Sequence, residues 1–166
     1  DEASVYTVSY GDSLQLPQAA FELRDRHIWR FAASNIVSVT IKQHGHTNKL
    51  ARGPAGAWTS DGVLNGAIEE TVTRLGLLEA LSWVGRGENN LRSRGFAENP
   101  HELTLEVNTG GKPQSFTVRF GTLHRRGDAY AAVVLEEGQP VVFLVPGELY
   151  VLVKQYLSLA SGAGNP

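Results

Sequence analysis

The sequence predicts an α+β domain, an antiparallel meander sheet with one helix before it and one after it, plus an N-terminal hairpin. Three observations predict it. Residues 102–146 hold four short apolar runs separated by turn signals, the pattern of consecutive hairpins. The first two runs alternate apolar and polar residues while the last two are apolar throughout, which separates strands with one wet face from strands covered on both. On either side of these runs the apolar spacing changes to about 3.6 residues, the period of a helix packed along one stripe. One domain over residues 21–159 follows, because a 166-residue chain that is 42% hydrophobic can bury one good core and needs no second.

In chain order, residues 4–10 are β-branched and aromatic and stop at Gly11-Asp12, a strand ended by a turn. The run from Val5 to Leu14 matches the run from Val141 to Tyr150 in order: apolar strand, glycine, acidic residue. Either residues 1–20 are the tail of a preceding tandem repeat or the match is chance. Residues 21–31 form a connector whose Leu23, Ile28, Trp29 and Phe31 dock on the core, leading to a turn or short cap at Ser34-Asn35. Val37, Val39 and Ile41 then alternate with Ser38, Thr40 and Lys42, a half-buried strand. His44-Gly45-His46-Thr47 turns into a return strand at residues 49–52, and Trp58 anchors the loop that follows.

Leu64, Ile68, Val72, Leu75 and Leu78 share one helical face. Asn65 is placed to cap that helix, with Glu69 and Glu70 in its first turn, where the helix dipole favours them, and its end is expected near Leu81. Trp83-Val84-Gly85 reads as a short strand, and residues 86–100 are the least regular stretch. In the meander, Leu103, Leu105 and Val107 alternate with Thr104, Glu106 and Asn108, and Phe116, Val118 and Phe120 with Ser115, Thr117 and Arg119. Residues 130–135 and 141–145 are the central, doubly covered strands. The helix at residues 64–81 is the cover expected on one side, and the last helix or the connector on the other. That last helix carries Leu149, Leu152, Val153, Tyr156 and Leu157 as its apolar stripe, and residues 160–166 form a flexible tail.

Composition narrows the function classes. A formal net charge of −2 lacks the Lys/Arg excess that phosphate-backbone binding relies on, so nucleic acid is not an expected partner. Zero cysteines exclude disulfides, thiolate chemistry and Cys-based zinc sites. Zero methionines and a start at Asp1 lead us to expect a piece of a longer chain. No run reaches the roughly 18 to 20 apolar residues of a membrane span.

Neither a Gly-x-Ser-x-Gly elbow nor a phosphate loop occurs in the sequence. Glu69-Glu70 and Glu136-Glu137 are adjacent pairs that diverge on either a helix or a strand, so neither is a ready acid/base dyad. Arg126-Gly127-Asp128 is read as a turn. His44 and His46 would share a strand face and could hold a metal with His27, His101 or His124, but an exposed hairpin turn is the plainer reading. No catalytic, cofactor or metal residue is therefore assigned. Arg86, Arg92, Arg94, Arg119, Arg125 and Arg126 give the middle of the chain a basic lean and are the candidate binding surface, while Glu88, Glu98, Glu102 and Glu106 among them point equally to a solvated mixed-charge face.

The order of several short motifs resembles the bacterial domain of unknown function 4340 family, found with ABC transporters and gliding-motility transporter auxiliary proteins. They are Leu23-Arg24-Asp25-Arg26 before Ile36-Val37-Ser38-Val39, Gly56-Ala57-Trp58, Arg94-Gly95-Phe96, Phe120-Gly121, Asp128-Ala129-Tyr130-Ala131 and Val142-Phe143-Leu144-Val145. Together they span roughly residues 20 to 159. The resemblance implies an extracytoplasmic envelope location, a membrane anchor outside this chain, tandem copies and protein partners in a transporter complex; it carries over no catalytic residue. Gly95 and Gly121 are read as tight backbone positions, and Trp58, Phe96 and Tyr130 as core anchors. The leading expectation is a non-enzymatic auxiliary module. The alternatives are a small-ligand or glycan-binding domain with a pocket near Arg119, Arg125 or Tyr130, and an envelope hydrolase. Pairing through an exposed edge strand would give a dimer.

Overall fold

The computed structural model describes residues 7, 9, 23–53, 56–60, 63–96, 101–135 and 138–159, without the side chains of 59, 60, 63 and 64. Of the expected strand at residues 4–10 only Thr7 and Ser9 are described; the rest of residues 1–22 and the tail at 160–166 lie outside the described residues, whereas the expected repeat counterpart, Val141 to Tyr150, is described. In chain order the elements are β1 (Ile36–Gln43), β2 (His46–Ala51), the short pair β3 (Thr59–Ser60) and β4 (Val63–Leu64), α1 (Gly66–Gly76), β5 (Ser82–Arg86) and α2 (Glu88–Arg92). Then come β6 (His101–Asn108), β7 (Pro113–Leu123), β8 (Ala129–Val134), β9 (Pro140–Val145) and α3 (Gly147–Tyr156).

Seven strands form one sheet in the order β2-β1-β6-β7-β8-β9-β5, every neighbouring pair antiparallel. The meander β6 to β9 is its middle, so the fold is α+β as the pattern predicts. The hairpin β1-β2 adds to one side of the meander and β5 to the other. Its turn, His44-Gly45, has positive φ at both residues, 51° and 77°, the twist that suits a two-residue hairpin.

Helices α1 and α3 pack together on one face of the sheet. Ile68, Val72 and Leu75 of α1 and Leu149, Val153 and Leu157 at α3 join Val39, Leu105, Val118 and Phe143 in one core. Each such side chain taken fully out of water contributes about 1.5 to 3 kcal/mol. Asn65 caps α1, its Oδ1 accepting from the backbone N–H of Ala67 at 3.1 Å and of Ile68 at 3.4 Å.

That helix stops at Gly76, one turn before the expected end near Leu81. The connector takes over there. Trp29 Nε1 donates to Leu75 O at 2.7 Å and Phe31 N to Gly76 O at 2.7 Å, satisfying carbonyls that end a helix. Leu78 stays buried on the extended segment beyond, while Leu77 and Leu81 are exposed. Ile28, Trp29 and Phe31 pack on the core as expected, but Leu23 is exposed. Val37 also departs from its expected face, because the β1–β6 register slips between Ile36 and Ser38. This bulge turns Val37 outward and puts Ile36 into the core with Val39 and Ile41.

Strands β8 and β9 are internal rather than central, since β7 is the middle strand, and apart from the exposed Val134 they are covered on both sides. Helix α1 covers one side as expected, but neither α3 nor the connector covers the other. Connector, α1 and α3 all lie on one face. The other is covered by α2 and the turn after it, inside the stretch that reads as least regular. Leu91 and Phe96 close a second, smaller core over Tyr130, Ala132 and Val142. Gly121 permits this, since a Cβ there would lie 2.3 Å from Arg94 O, and Thr122 N donates to that same carbonyl at 3.0 Å.

Arg52 fastens the crossover from β2 to α1. Its Nε donates to Ile36 O at 2.9 Å; one Nη donates to Gly56 O and to Glu69 Oε2, and the other to Ala33 O and Glu69 Oε1, each at 2.9 Å or less. All five guanidinium donors are used, and the guanidinium carbon sits 5.1 Å over the buried ring of Trp58. A lysine brings three donors and no planar fork. Arg52→Lys is therefore expected to lower the unfolding free energy in urea by about 2 to 4 kcal/mol; a loss below about 0.5 kcal/mol would contradict this assignment.

Candidate functional site: the open face of the sheet

Alternation decides what each strand offers on the face away from the helices, and register decides what lines up. On β1, β6 and β7 the outward residues form three cross-strand rows: Ser38, Glu106 and Ser115; Thr40, Thr104 and Thr117; Lys42, Glu102 and Arg119. In the first row Ser38 Oγ and Lys49 Nζ from β2 both donate to Glu106 Oε2, Lys49 at 2.8 Å. Lys49 and then Ser38 hold the Glu106 carboxyl below the usual carboxylate range. In the second row the hydroxyls of Thr104 and Thr117 are 2.9 Å apart, a cross-strand pair. In the third, Arg119 Nε donates to Glu102 Oε2 at 2.9 Å, and Lys42 Nζ lies 3.5 Å from Glu102 Oε1.

Where this polar face meets α2 a groove of about 370 Å³ opens. Glu102, Thr117 and Arg119 line one flank; Ala132, Val134 and Pro140 line the other, with Leu91 of α2 as a wall. One side can hydrogen-bond and the other can bury carbon. Its charged side chains are held in place by the cross-strand ion pairs.

Of the six candidate arginines, the structure puts Arg119 in this groove and Arg94 near it on the same face. Arg94 Nη1 donates to the Tyr130 hydroxyl at 3.0 Å, with its guanidinium carbon 4.9 Å over the Tyr130 ring, a strut of the second core. Arg92 is exposed in the last turn of α2. Arg86 lies on edge strand β5, its carbonyl accepting from Asn90 Nδ2 at 2.7 Å. Arg125 and Arg126 are exposed in the β7–β8 turn. The six are thus spread over a strand edge, a helix, a turn and the groove. Sequence reasoning left out Lys42, Glu102, Thr104 and Thr117 as site residues. Alternation already put Lys42, Thr104 and Thr117 on wet faces; the signal missing was register.

The five histidines separate. His27 lies beside Asp25, its Nδ1 2.7 Å from Asp25 Oδ1, and His124 packs against Tyr130 with centroids 5.6 Å apart. His44 and His46 are exposed at the β1–β2 turn. His101 is buried between the sheet and the end of α3. Among the described residues no group of three or more histidines and carboxylates is placed to hold a metal ion. No family model, curated protein or solved structure matches the chain. The structure defines an α+β domain with one sheet face packed by helices and the other, among the described residues, partly open.

His101 is 2% exposed, with Nε2 2.6 Å from Leu157 O and Nδ1 without a partner. Burial pushes its pKa down to about 4 against the pull of the Leu157 carbonyl, and Lys154 and His44 add repulsion. The neutral ring, protonated at Nε2, therefore fits the site. Because the folded pKa lies below that of the unfolded chain, stability from this group is complete above about pH 6.5 and is lost as the pH falls towards 4. The loss sums to roughly 3 kcal/mol. Urea unfolding at intervals from pH 7.5 to 4 should show it, and His101→Phe should flatten the profile above the carboxylate range; an unchanged slope in that variant would remove His101 as the cause.

Proposed function

We propose that this chain is a non-enzymatic interaction module of the cell envelope, an auxiliary domain of an ABC-transporter or gliding-motility-type assembly on the extracytoplasmic side. The observation that carries the interaction reading is the three-row polar face on β1, β6 and β7. The strands under it are internal to the sheet, with their backbone groups engaged in the ladder, so contacts there are made by ordered side chains on a broad surface. A partner meeting this face gains selectivity from charge complementarity more than from buried area. The envelope setting, the tandem copies and an anchor elsewhere in the full-length protein rest on the motif resemblance. Pairing through an exposed edge strand is the route to a dimer in this reading.

The groove beside α2 favours a second reading, a small-ligand-binding domain that delivers cargo to the same assembly. It combines an apolar flank with a few polar groups, the usual make-up of such sites.

A photo-crosslinking amino acid placed at Lys42 in the full-length protein, expressed in its native cells, should capture a transporter subunit. The same group at Val151, exposed on the helix side, should not. Equal capture from both positions, or none from Lys42, overturns the leading reading.

A further inference from the structure

We propose that the groove beside α2 binds a small monocarboxylate with an apolar body, its carboxylate on Arg119 and its body against Ala132, Val134 and Leu91. This rests on the reading of the domain as a small-ligand binder and adds the chemistry of the ligand.

Charge is the first argument. In the Lys42–Glu102–Arg119 row two cations share one carboxylate, and the neighbouring Lys49–Glu106 pair is balanced. One positive charge in the row is therefore unmatched. Exposure says which sign a visitor meets: the Glu102 side chain is 18% exposed, that of Arg119 41% and that of Lys42 63%. Arg119 commits Nε to Glu102, and no hydrogen bond of its Nη nitrogens occurs among the described residues. Those two nitrogens match a carboxylate in a two-point, charge-assisted arrangement. Glu136 and Glu137, between β8 and β9 in the chain, lie outside the described residues.

The apolar flank is the second argument. Val134 is 59% exposed although it sits on an internal strand, and it lines the groove with Ala132, Pro140 and Leu91. A bare inorganic anion would leave that surface wet, whereas a hydrocarbon body covers it.

A small ligand suits the groove floor better than an extended peptide does. The β6-β7-β8-β9 floor is internal to the sheet, so it offers side chains and no strand edge. A peptide lying there would find no ladder for its own N–H and C=O groups. A monocarboxylate has one polar end to satisfy. A volume of about 370 Å³ is at the small end of the roughly 300 to 1,000 Å³ typical of ligand sites.

The test is an NMR titration of the ¹⁵N-labelled 166-residue chain with hexanoate, hexanamide, acetate and a peptide ending in leucine. Hexanoate should shift the amides of Thr117, Arg119, Ala132 and Val134 saturably, with hexanamide and acetate at least about tenfold weaker. Arg119→Gln should remove the preference for hexanoate over hexanamide, and Val134→Asp should weaken hexanoate; an unchanged amide spectrum outside the groove shows that each variant is folded. Equal binding of hexanoate and hexanamide in the groove overturns the carboxylate and leaves the small-ligand reading standing. Binding of the peptide alone overturns both in favour of a protein ligand. No groove shift with any of the four probes overturns the proposal and counts against the reading on which it rests.

Discussion

The chain leaves β2 at one edge of the sheet and enters β5 at the other, and most of the architecture follows from having to cross between them. The crossing segment carries α1, whose apolar stripe at Ile68, Val72 and Leu75 must be buried, so it lies against the sheet. That choice makes one face the core. It also places α3 beside α1 and draws the connector along the segment after α1, where Ala80 N donates to Arg26 O at 2.8 Å. Arg52 holds the start of the crossing by joining β1, the loop at Gly56 and the first turn of α1 through one side chain. Remove that tie and the carbonyls of Ile36 and Ala33 lose a charged donor, a larger loss than a surface ion pair represents.

With one face spoken for, the other carries the polar rows. Its two halves differ because the inward–outward alternation differs: β8 and β9 are apolar on both sides and must be covered again, whereas β1, β6 and β7 put Ser, Thr, Lys, Glu and Arg outward. The short helix α2 covers only the first half. Gly121 allows the turn after it to approach the strand, and Phe96 closes the small core against Tyr130. The groove is the boundary between the covered and the open halves, which is why it has one polar and one apolar flank. Exposed pairs such as Lys42 with Glu102 contribute little to stability; their consequence is a face whose charges are held in place.

His101 shows how far a residue type can mislead without its surroundings. As a letter it is a ligand candidate like the other histidines. Its neighbours turn it into a buried neutral donor that ties the end of α3 to the start of β6, next to Gln43, whose Oε1 accepts from Leu159 N at 3.1 Å. Arg94 makes the same point for the basic lean, since a cation stacked on Tyr130 belongs first to packing.

The sequence by itself determined neither α2 nor the β3–β4 pair. It did determine the strands of the meander and their order, the Asn65 cap and most of the two long helices' stripes, because these depend on periods of 2 and 3.6 and on local turn and cap chemistry. It also marked Thr104, Thr117, Lys42 and Arg119 as solvent-facing. Only the tertiary structure decided which face of the sheet the helices take, that Val37 yields its place to Ile36 at a bulge, and that α1 ends at Gly76 against the connector. It alone aligned Lys42, Glu102 and Arg119 in one row and set Leu91 beside them. Those outcomes depend on register and on contacts between residues far apart in the chain, and a one-residue change of register would turn every side chain of a strand to the opposite face.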